Sequence, residues 1–197
     1  MNTPMLEVTE LKGGGFGPVN LTLDAGECLG ISGPSGSGKS RMLRAIADLD
    51  PHGGRVRLRG RDRMTFSGPQ WRSRVGYVPA DSRWWARTVQ EHFLRPGALP
   101  LEDLGLEAGI LDFAGHRLSS GERQRLALLR QWELQPQVLL LDEPTANLDT
   151  TNRDRFEAFV LRYRDEVQAA LLWVSHDREQ LRRVANRPLR MQAGRPV

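Results

Sequence analysis

The feature that most constrains this chain is a short glycine-rich stretch that fits G-x-x-x-x-G-K-[ST] at every fixed position. Its glycines let the backbone curl so that successive N–H groups face inward and cradle phosphate oxygens. The lysine supplies positive charge to the outer phosphates, and the serine hydroxyl is a suitable Mg²⁺ ligand. The candidate nucleotide-binding residues are Gly33, Pro34, Ser35, Gly36, Ser37, Gly38, Lys39, Ser40 and the adjoining Arg41.

The sequence on either side of this loop predicts a strand before it and a helix after it. Cys28–Ser32 is a short apolar run that ends at the loop. Beyond the loop, Met42, Leu43, Ile46 and Leu49 are spaced like one face of a helix. This order would place the positive end of a helix dipole beneath bound phosphates.

Size and composition argue against a membrane-spanning protein and against a fold held by internal disulfides. A chain of 197 residues suffices for one domain, with or without a small subdomain. It contains no run approaching the roughly 18 apolar residues of a membrane span. Its single cysteine excludes an internal disulfide framework and fits a reducing cytosol. Because Cys28 lies in the apolar strand, we expect it to pack in the core.

The net charge is +4, and only Lys12 and Lys39 among the 28 basic residues are lysines. A basic surface could face nucleic acid or an anionic membrane leaflet. The charges are scattered and form no block, which favours a solvated surface.

The pattern of apolar residues predicts an α/β fold with a mainly parallel sheet flanked by helices. Buried strands are expected at Val75–Val78, Val138–Leu141 and Leu171–Val174. Residues 5–8 and 19–24 alternate apolar and polar positions around a glycine run, and Arg55–Gly60 alternates again, which predicts a small antiparallel part near the N-terminus.

Two longer helices are also predicted. One runs from Ser120 to about Glu133, just before a proline. The other follows an apolar stripe and is capped near Thr151 or Asn152. The stripe consists of Phe156, Phe159, Val160, Tyr163 and Val167. Residues 82–117 suggest short helices, so we expect a helical subdomain over about 82–135 within a single domain, 1–197.

Two adjacent carboxylates, Asp142 and Glu143, follow the Val138–Leu141 strand. A carboxylate at a strand's carboxyl end beside the phosphate loop is placed to hold Mg²⁺, directly or through water. A second carboxylate aimed at the attacking water can act as a general base. Two solvated acids at a strand end are the structural alternative.

With Leu118–Glu122 added, these motifs resemble the nucleotide-binding subunit of ATP-binding cassette (ABC) ATPases over about Met5 to Met191. The resemblance implies a P-loop NTPase of ABC type that hydrolyses ATP with Mg²⁺. It also implies a homodimer around two ATP molecules and a separate integral membrane permease, with the chain cytoplasmic and peripheral on the inner membrane face. No nucleic acid partner is expected.

The resemblance assigns further site residues. Glu143 takes the place of the catalytic base, His176 that of the histidine that contacts the γ-phosphate, and Lys39 that of the phosphate-loop lysine. Ser40 and Asp142 take the metal positions.

Residues from two further motifs would complete the partner's site in a head-to-tail dimer. Ser119, Gly121 and Glu122 belong to the signature segment, and Asp149 would reach across to the other subunit. Ser120 and Glu122 replace the usual glycine and glutamine. Taken alone, Ser119 followed by Glu122 also fits an ordinary helix N-cap.

Other departures affect the edges of the site. Ala80 stands where the family has a glutamine that senses Mg²⁺ and the attacking water, and Asp81 follows it. Phe16 is the only aromatic residue before the phosphate loop, which makes it the candidate for stacking on adenine; a plug in the small sheet is its alternative role. Trp84-Trp85 could anchor a helix of the membrane subunit or fill a small helical core.

Two other functions stay open at this point: an ABC ATPase that acts on nucleic acid, and a nucleotide-sensing module with little turnover. Within the family, the compact length and the run Leu171–Asp177 are most similar to small ATPases of metal or iron export systems. This similarity fixes neither the transported substrate nor the direction of transport.

Overall fold

Two β-sheets organise the computed structural model, which describes residues 3–197. The strands are β1 Leu6–Gly13, β2 Phe16–Leu23, β3 Cys28–Ser32, β4 Gly53–Leu58, β5 Arg61–Asp62, β6 Val75–Val78, β7 Val138–Asp142, β8 Ala170–Val174, β9 Arg187–Gln192 and β10 Arg195–Pro196. The α-helices are α1 Lys39–Ile46, α2 Gly68–Arg72, α3 Ser120–Trp132, α4 Thr150–Val167 and α5 Arg178–Val184.

The larger sheet has the order β10-β9-β3-β8-β7-β6, and its inner strands are parallel. All residues of β7 and β8 are buried, as expected for parallel strands covered on both faces. One hydrophobic core lies between α1 and the smaller sheet, and the other lies under α3, α4 and α5. Because the strands are parallel, the carboxyl ends of β3, β6, β7 and β8 meet at one edge, where the predicted site residues follow.

The smaller sheet, β2-β1-β4-β5, is antiparallel and comes from the N-terminal third of the chain. A tight turn at Gly14-Gly15 joins β1 to β2, and both glycines have positive φ. The expected α/β architecture, with a parallel sheet and an N-terminal antiparallel part, is therefore confirmed.

Two boundary predictions and one burial prediction were wrong. Helix α1 ends at Ile46, so Leu49 lies beyond it and is 41 % exposed. Helix α4 begins earlier than expected, at Thr150, because the Asp149 carboxylate accepts the N–H of Asn152 as N-cap. Val167, the last residue of α4, is exposed and does not extend the buried stripe.

Between β6 and β7 the chain forms short 3₁₀ helices and then α3. The turns are Gln90–His92, Pro96–Ala98, Glu102–Leu104, Ala108–Asp112 and Gly115–Arg117. The two tryptophans here differ: Trp84 packs beside Phe93 in the local core, whereas Trp85 is 77 % exposed. No helix in the described part of the chain has the length and apolar character needed to span a bilayer.

Candidate functional site

A cleft of about 250 Å³ opens at the carboxyl edge of the larger sheet. It brings together most residues of the predicted phosphate and catalytic motifs. Its lining residues are Ser35, Gly36, Ser37, Gly38, Lys39, Ser40, Arg41, Asp142, Glu143 and His176. The loop after β3 forms one wall, and the residues that follow β7 and β8 form the other.

Glycine is required by the geometry of the phosphate loop at two positions. A Cβ on Gly33 would lie 2.1 Å from the carbonyl oxygen of Met191, and a Cβ on Gly38 would lie 2.7 Å from the Cβ of Phe16. Both glycines also have positive φ, at 147° and 91°. The loop is therefore packed tightly against the body of the protein on its inner side, which leaves its outer side to form the cleft.

Lys39 curls back over this loop. Its Nζ donates to the carbonyl oxygens of Gly33 and Pro34 at 2.8 and 3.0 Å. Burial lowers the pKa of Lys39, and the nearby Glu143 and Asp142 oppose that effect. The hydroxyl of Ser37, 3 % exposed, has no hydrogen-bond partner among residues 3–197. The loop thus carries an ammonium group suited to phosphate oxygens, whereas the Ser37 hydroxyl is buried on its inner side, near Gly33.

Asp142 lies at the end of β7 and is 3 % exposed. The Ser40 hydroxyl donates to its Oδ1 at 3.0 Å, and the Tyr77 hydroxyl donates to its Oδ2 at 3.0 Å. Burial, reinforced by Asp142, raises the pKa of Tyr77, which keeps the phenol a proton donor. The hydroxyl of Ser40 and the carboxylate of Asp142 are hard oxygen ligands of the kind that Mg²⁺ takes alongside substrate phosphates. These residues therefore fit the metal.

Glu143 lies next to Asp142 and is paired with His176. The backbone N–H of His176 donates to Glu143 Oε2 at 3.2 Å, and His176 Nε2 lies 3.2 Å from Oε1. Burial raises the pKa of Glu143, and the charges of His176 and Lys39 only partly offset this effect. A half-buried carboxylate with a raised pKa in a cleft is a candidate general base.

The signature segment lies outside this cleft. Ser119 caps α3: its Oγ accepts the N–H of Glu122 at 3.2 Å, and the Glu122 carboxylate accepts the Ser119 N–H at 2.8 Å. The Ser119 hydroxyl also donates to Glu122 Oε2 at 2.7 Å. The structure therefore forms the capping box that the sequence left open, and it leaves Ser119 exposed to solvent.

Asp149 is likewise exposed and outside the cleft, as the N-cap of α4. A buried guanidinium connects it indirectly to the signature segment. Arg125 donates to the carbonyl oxygen of Gly121 at 3.2 Å and to Asn152 Oδ1 at 3.0 Å. Asn152 in turn donates to Asp149 Oδ2 at 2.6 Å. The signature segment and the Asp149 turn are thus held as one unit.

Phe16 does not line the cleft. It is 6 % exposed and packs in the core beneath Gly38. Its position supports the sheet-plug role and does not offer a ring to adenine. Arg41 lines the cleft on this side, and its guanidinium donates to the carbonyl oxygen of Gly14 in the β1–β2 turn. Ala80 and Asp81 are exposed, and neither lines the cleft.

Sequence reasoning missed Tyr77 and Arg125. The signal for Tyr77 lay in the strand pairing: once β6 is placed parallel to β7, Tyr77 stands opposite Leu140, two residues before Asp142. Arg125 gave no such signal, because its partners are mainly backbone carbonyls brought in by the loop at Leu104-Gly105.

A family model described as "ABC transporter" matches residues 16–146. The chain belongs to the ABC transporter family. It is an ABC ATP-binding subunit and an ATPase.

Relatives in the ABC family have been named for transport in both directions. The chain is 34 % identical over 176 residues to the probable iron export ATP-binding protein FetA of Escherichia coli (strain K12), covering 83 % of this chain and 78 % of FetA. It is 36 % identical over 196 residues to the sulfate/thiosulfate import ATP-binding protein CysA of Bradyrhizobium diazoefficiens, covering 90 % of this chain. The match spans only 56 % of that CysA.

Solved ABC structures share the fold. The ATP-binding cassette MJ0796, in a dimeric post-hydrolysis state bound to ADP and Pi, superposes with a TM-score of 0.85 at 24 % identity, over 98 % of this chain and 96 % of that one. A bacterial Atm1-family ABC exporter with ATP bound gives a TM-score of 0.83 at 22 % identity, over 100 % of this chain and 38 % of the exporter chain.

Proposed function

We propose that this ABC ATPase binds MgATP in the cleft, closes head to tail around two ATP molecules, and drives a separate membrane permease. The observation that carries the proposal is the division of the site. Lys39, Asp142 and Glu143 share one cleft, whereas Ser119 and Asp149 are solvent-exposed outside it. A second copy of the chain, turned head to tail, would supply the missing half of the anion site.

Each residue of the cleft has a distinct function in this proposal. The loop N–H groups and Lys39 bind the phosphates, and the N-terminus of α1 adds its dipole. Glu143 takes a proton from the attacking water, while His176 holds that carboxylate and faces the terminal phosphate. Ser40 and Asp142 would hold Mg²⁺, which supplies charge neutralisation at the phosphates.

The proposed dimer uses the signature segment as a second phosphate site. N–H groups at the start of α3 and the Ser119 hydroxyl would face the triphosphate held by the partner. Asp149 would contact the partner subunit, with its turn fixed through Asn152 and Arg125. FetA and CysA are both named as ATP-binding proteins of transport systems, which supports a membrane partner for this chain.

The permease would dock near the 3₁₀ segment, placing the chain on the cytoplasmic face of the membrane. Trp85 and Leu94 are 77 % and 75 % exposed there, and the Arg130 guanidinium lies 5.4 Å from the Trp85 ring centroid. Tryptophan and arginine are the residue types that most often anchor interfaces. The cargo follows from the permease, so the iron and sulfate of the named relatives are not transferred.

The divided site is tested by a substitution that keeps the cap and adds charge. In a Glu122→Gln background, Ser119→Asp retains a good N-cap but puts a carboxylate where the partner's phosphate would lie. Ser67→Asp in the same background is the matched control, because Ser67 caps α2 with Gln70 in the same kind of capping box. We expect Ser119→Asp to abolish ATP-driven dimerisation in light scattering and to lower ATP hydrolysis at least 100-fold. Equal activity of the two variants would refute the proposal.

A further inference from the structure

Both oxygens of the Asp142 carboxylate are occupied by hydroxyl donors from different elements. Ser40, in the first turn of α1, donates to Oδ1, and Tyr77, on β6, donates to Oδ2, each at 3.0 Å. Ser40 is a member of the phosphate-loop motif, so its contact is expected. Tyr77 belongs to none of the motifs, and its hydroxyl does not line the cleft.

The position of Tyr77 follows from the sheet. Strand β6 pairs in parallel with β7, with Tyr77 opposite Leu140, and the phenol spans the remaining distance to Asp142. Two residues past the end of β6, Ala80 is exposed and has no side chain that can hydrogen-bond. Among residues 3–197, β6 therefore reaches the metal position through the Tyr77 phenol and not through the residue at position 80.

We propose that Tyr77 is a positioning residue for the metal of MgATP, which holds Asp142 so that its Oδ1 and the Ser40 hydroxyl face the ion together. This inference rests on the proposed function of the cleft. Rotation about the Cβ–Cγ bond of an aspartate is soft and nearly two-fold, so a free carboxylate would exchange its two oxygens. A hydrogen bond to Oδ2 removes that freedom before the metal arrives. Loss of such a partner typically costs 10–100-fold in metal affinity.

The chain offers a matched control, because it contains two tyrosines and both donate a hydroxyl hydrogen bond; Tyr77 is partly buried and Tyr163 is buried. Tyr163, on α4, donates to the carbonyl oxygen of Pro136 at 2.6 Å and does not line the cleft. Tyr77→Phe and Tyr163→Phe each delete one hydroxyl and keep the ring. A general loss of stability should therefore appear in both variants, whereas weaker metal binding should appear only in Tyr77→Phe.

The experiment measures Mn²⁺ binding by the loss of the free-ion electron paramagnetic resonance signal, with a non-hydrolysable ATP analogue present. Nucleotide binding in EDTA and the thermal midpoint are measured for the same samples. We expect Tyr77→Phe to weaken Mn²⁺ binding about tenfold or more while nucleotide binding in EDTA is unchanged. Tyr163→Phe should bind Mn²⁺ like the wild type. Tyr77→Met, which retains apolar volume, should match Tyr77→Phe and provides a second folded variant.

Unchanged Mn²⁺ affinity in Tyr77→Phe would overturn the inference, as would an equal loss in Tyr163→Phe. Neither result would affect the proposed function, because the wild type would still bind and hydrolyse ATP. Failure of the proposed function has a separate signature: the wild type would bind no nucleotide in the cleft, with or without the metal.

Discussion

Replacing Glu143 by glutamine tests the assignment of the general base most directly. The amide has nearly the same shape and still accepts the N–H of His176, so the cleft is preserved. It cannot accept a proton from water. General-base assistance contributes about 10²–10⁴ in rate, which corresponds to about 3–5 kcal/mol of activation free energy. We therefore expect phosphate release to fall at least 100-fold while ATP binding is retained, with the closed dimer accumulating.

The same substitution lowers the rate of hydrolysis, but it should raise the free energy of unfolding at neutral pH. Because burial raises the pKa of Glu143, the folded protein favours its neutral form. The contribution of this group to stability is therefore fully present below the unfolded-state pKa of about 4.5 and is lost as the pH rises through the higher folded-state pKa. Glutamine carries no charge at any pH. The variant should thus equal the wild type near pH 4 and exceed it in free energy of unfolding at neutral pH.

Phosphate release, light scattering with saturating MgATP, and urea denaturation at pH 4 and 7 measure these effects. Glu133→Gln is the control: Glu133 is a buried carboxylate that accepts the N–H of Leu94 at 2.9 Å, remote from the cleft. The Glu133→Gln variant should be less stable than the wild type and should release phosphate at the wild-type rate. If Glu143→Gln retained more than a tenth of the wild-type rate, another group would have to be the base. If it remained monomeric in saturating MgATP, the head-to-tail dimer would be wrong.

Two further predictions concern the rims of the cleft. Gly33→Ala should destabilise the protein by about 2 kcal/mol or more in urea denaturation, because the added Cβ would meet the Met191 carbonyl. Gly36→Ala should cost less, because there is open space where its Cβ would lie. Equal losses in the two variants would contradict the tight packing inferred for the loop. Arg41→Ala should weaken ATP binding about two- to fivefold in calorimetry, as expected for loss of an exposed charge pair with a phosphate. Unchanged affinity would remove Arg41 from the site.

Local sequence was sufficient to place the phosphate loop and the adjacent carboxylates Asp142 and Glu143. In each case an apolar run long enough for one buried strand ends at polar residues, and parallel pairing brings those ends together. The run Val138–Leu141 is too short and too uniformly apolar for an exposed element, and it forms all of β7 except its last residue, Asp142. Cys28 also follows from this reasoning: it is buried in β3, and burial raises the pKa of its thiol to about 12.

What the sequence did not reveal depends on contacts between distant segments. Phe16 was the only aromatic candidate for adenine by its order along the chain, but the pairing of β1 with β2 buries it, with its Cβ against Gly38 and its ring beside Gly13. Leu49 continued the apolar spacing of α1, yet the helix had already ended at Ile46. Strand β9 was also missed, because Arg187 and Arg190 interrupt the apolar pattern of a strand that joins the sheet between β3 and β10 through its backbone.

The adjacent acids raise a geometric difficulty that the backbone resolves. Successive side chains of an extended strand point to opposite faces, so Asp142 and Glu143 could not both face the cleft if β7 simply continued. Glu143 instead has a φ of 47°, in the left-handed region that costs a residue with a Cβ roughly 1–2 kcal/mol. Its N–H donates to Val174 on β8, and its carbonyl accepts the N–H of Ala146, which hold the turn in place. The strained backbone at Glu143 therefore has a geometric reason: it turns the Glu143 carboxylate into the cleft beside that of Asp142.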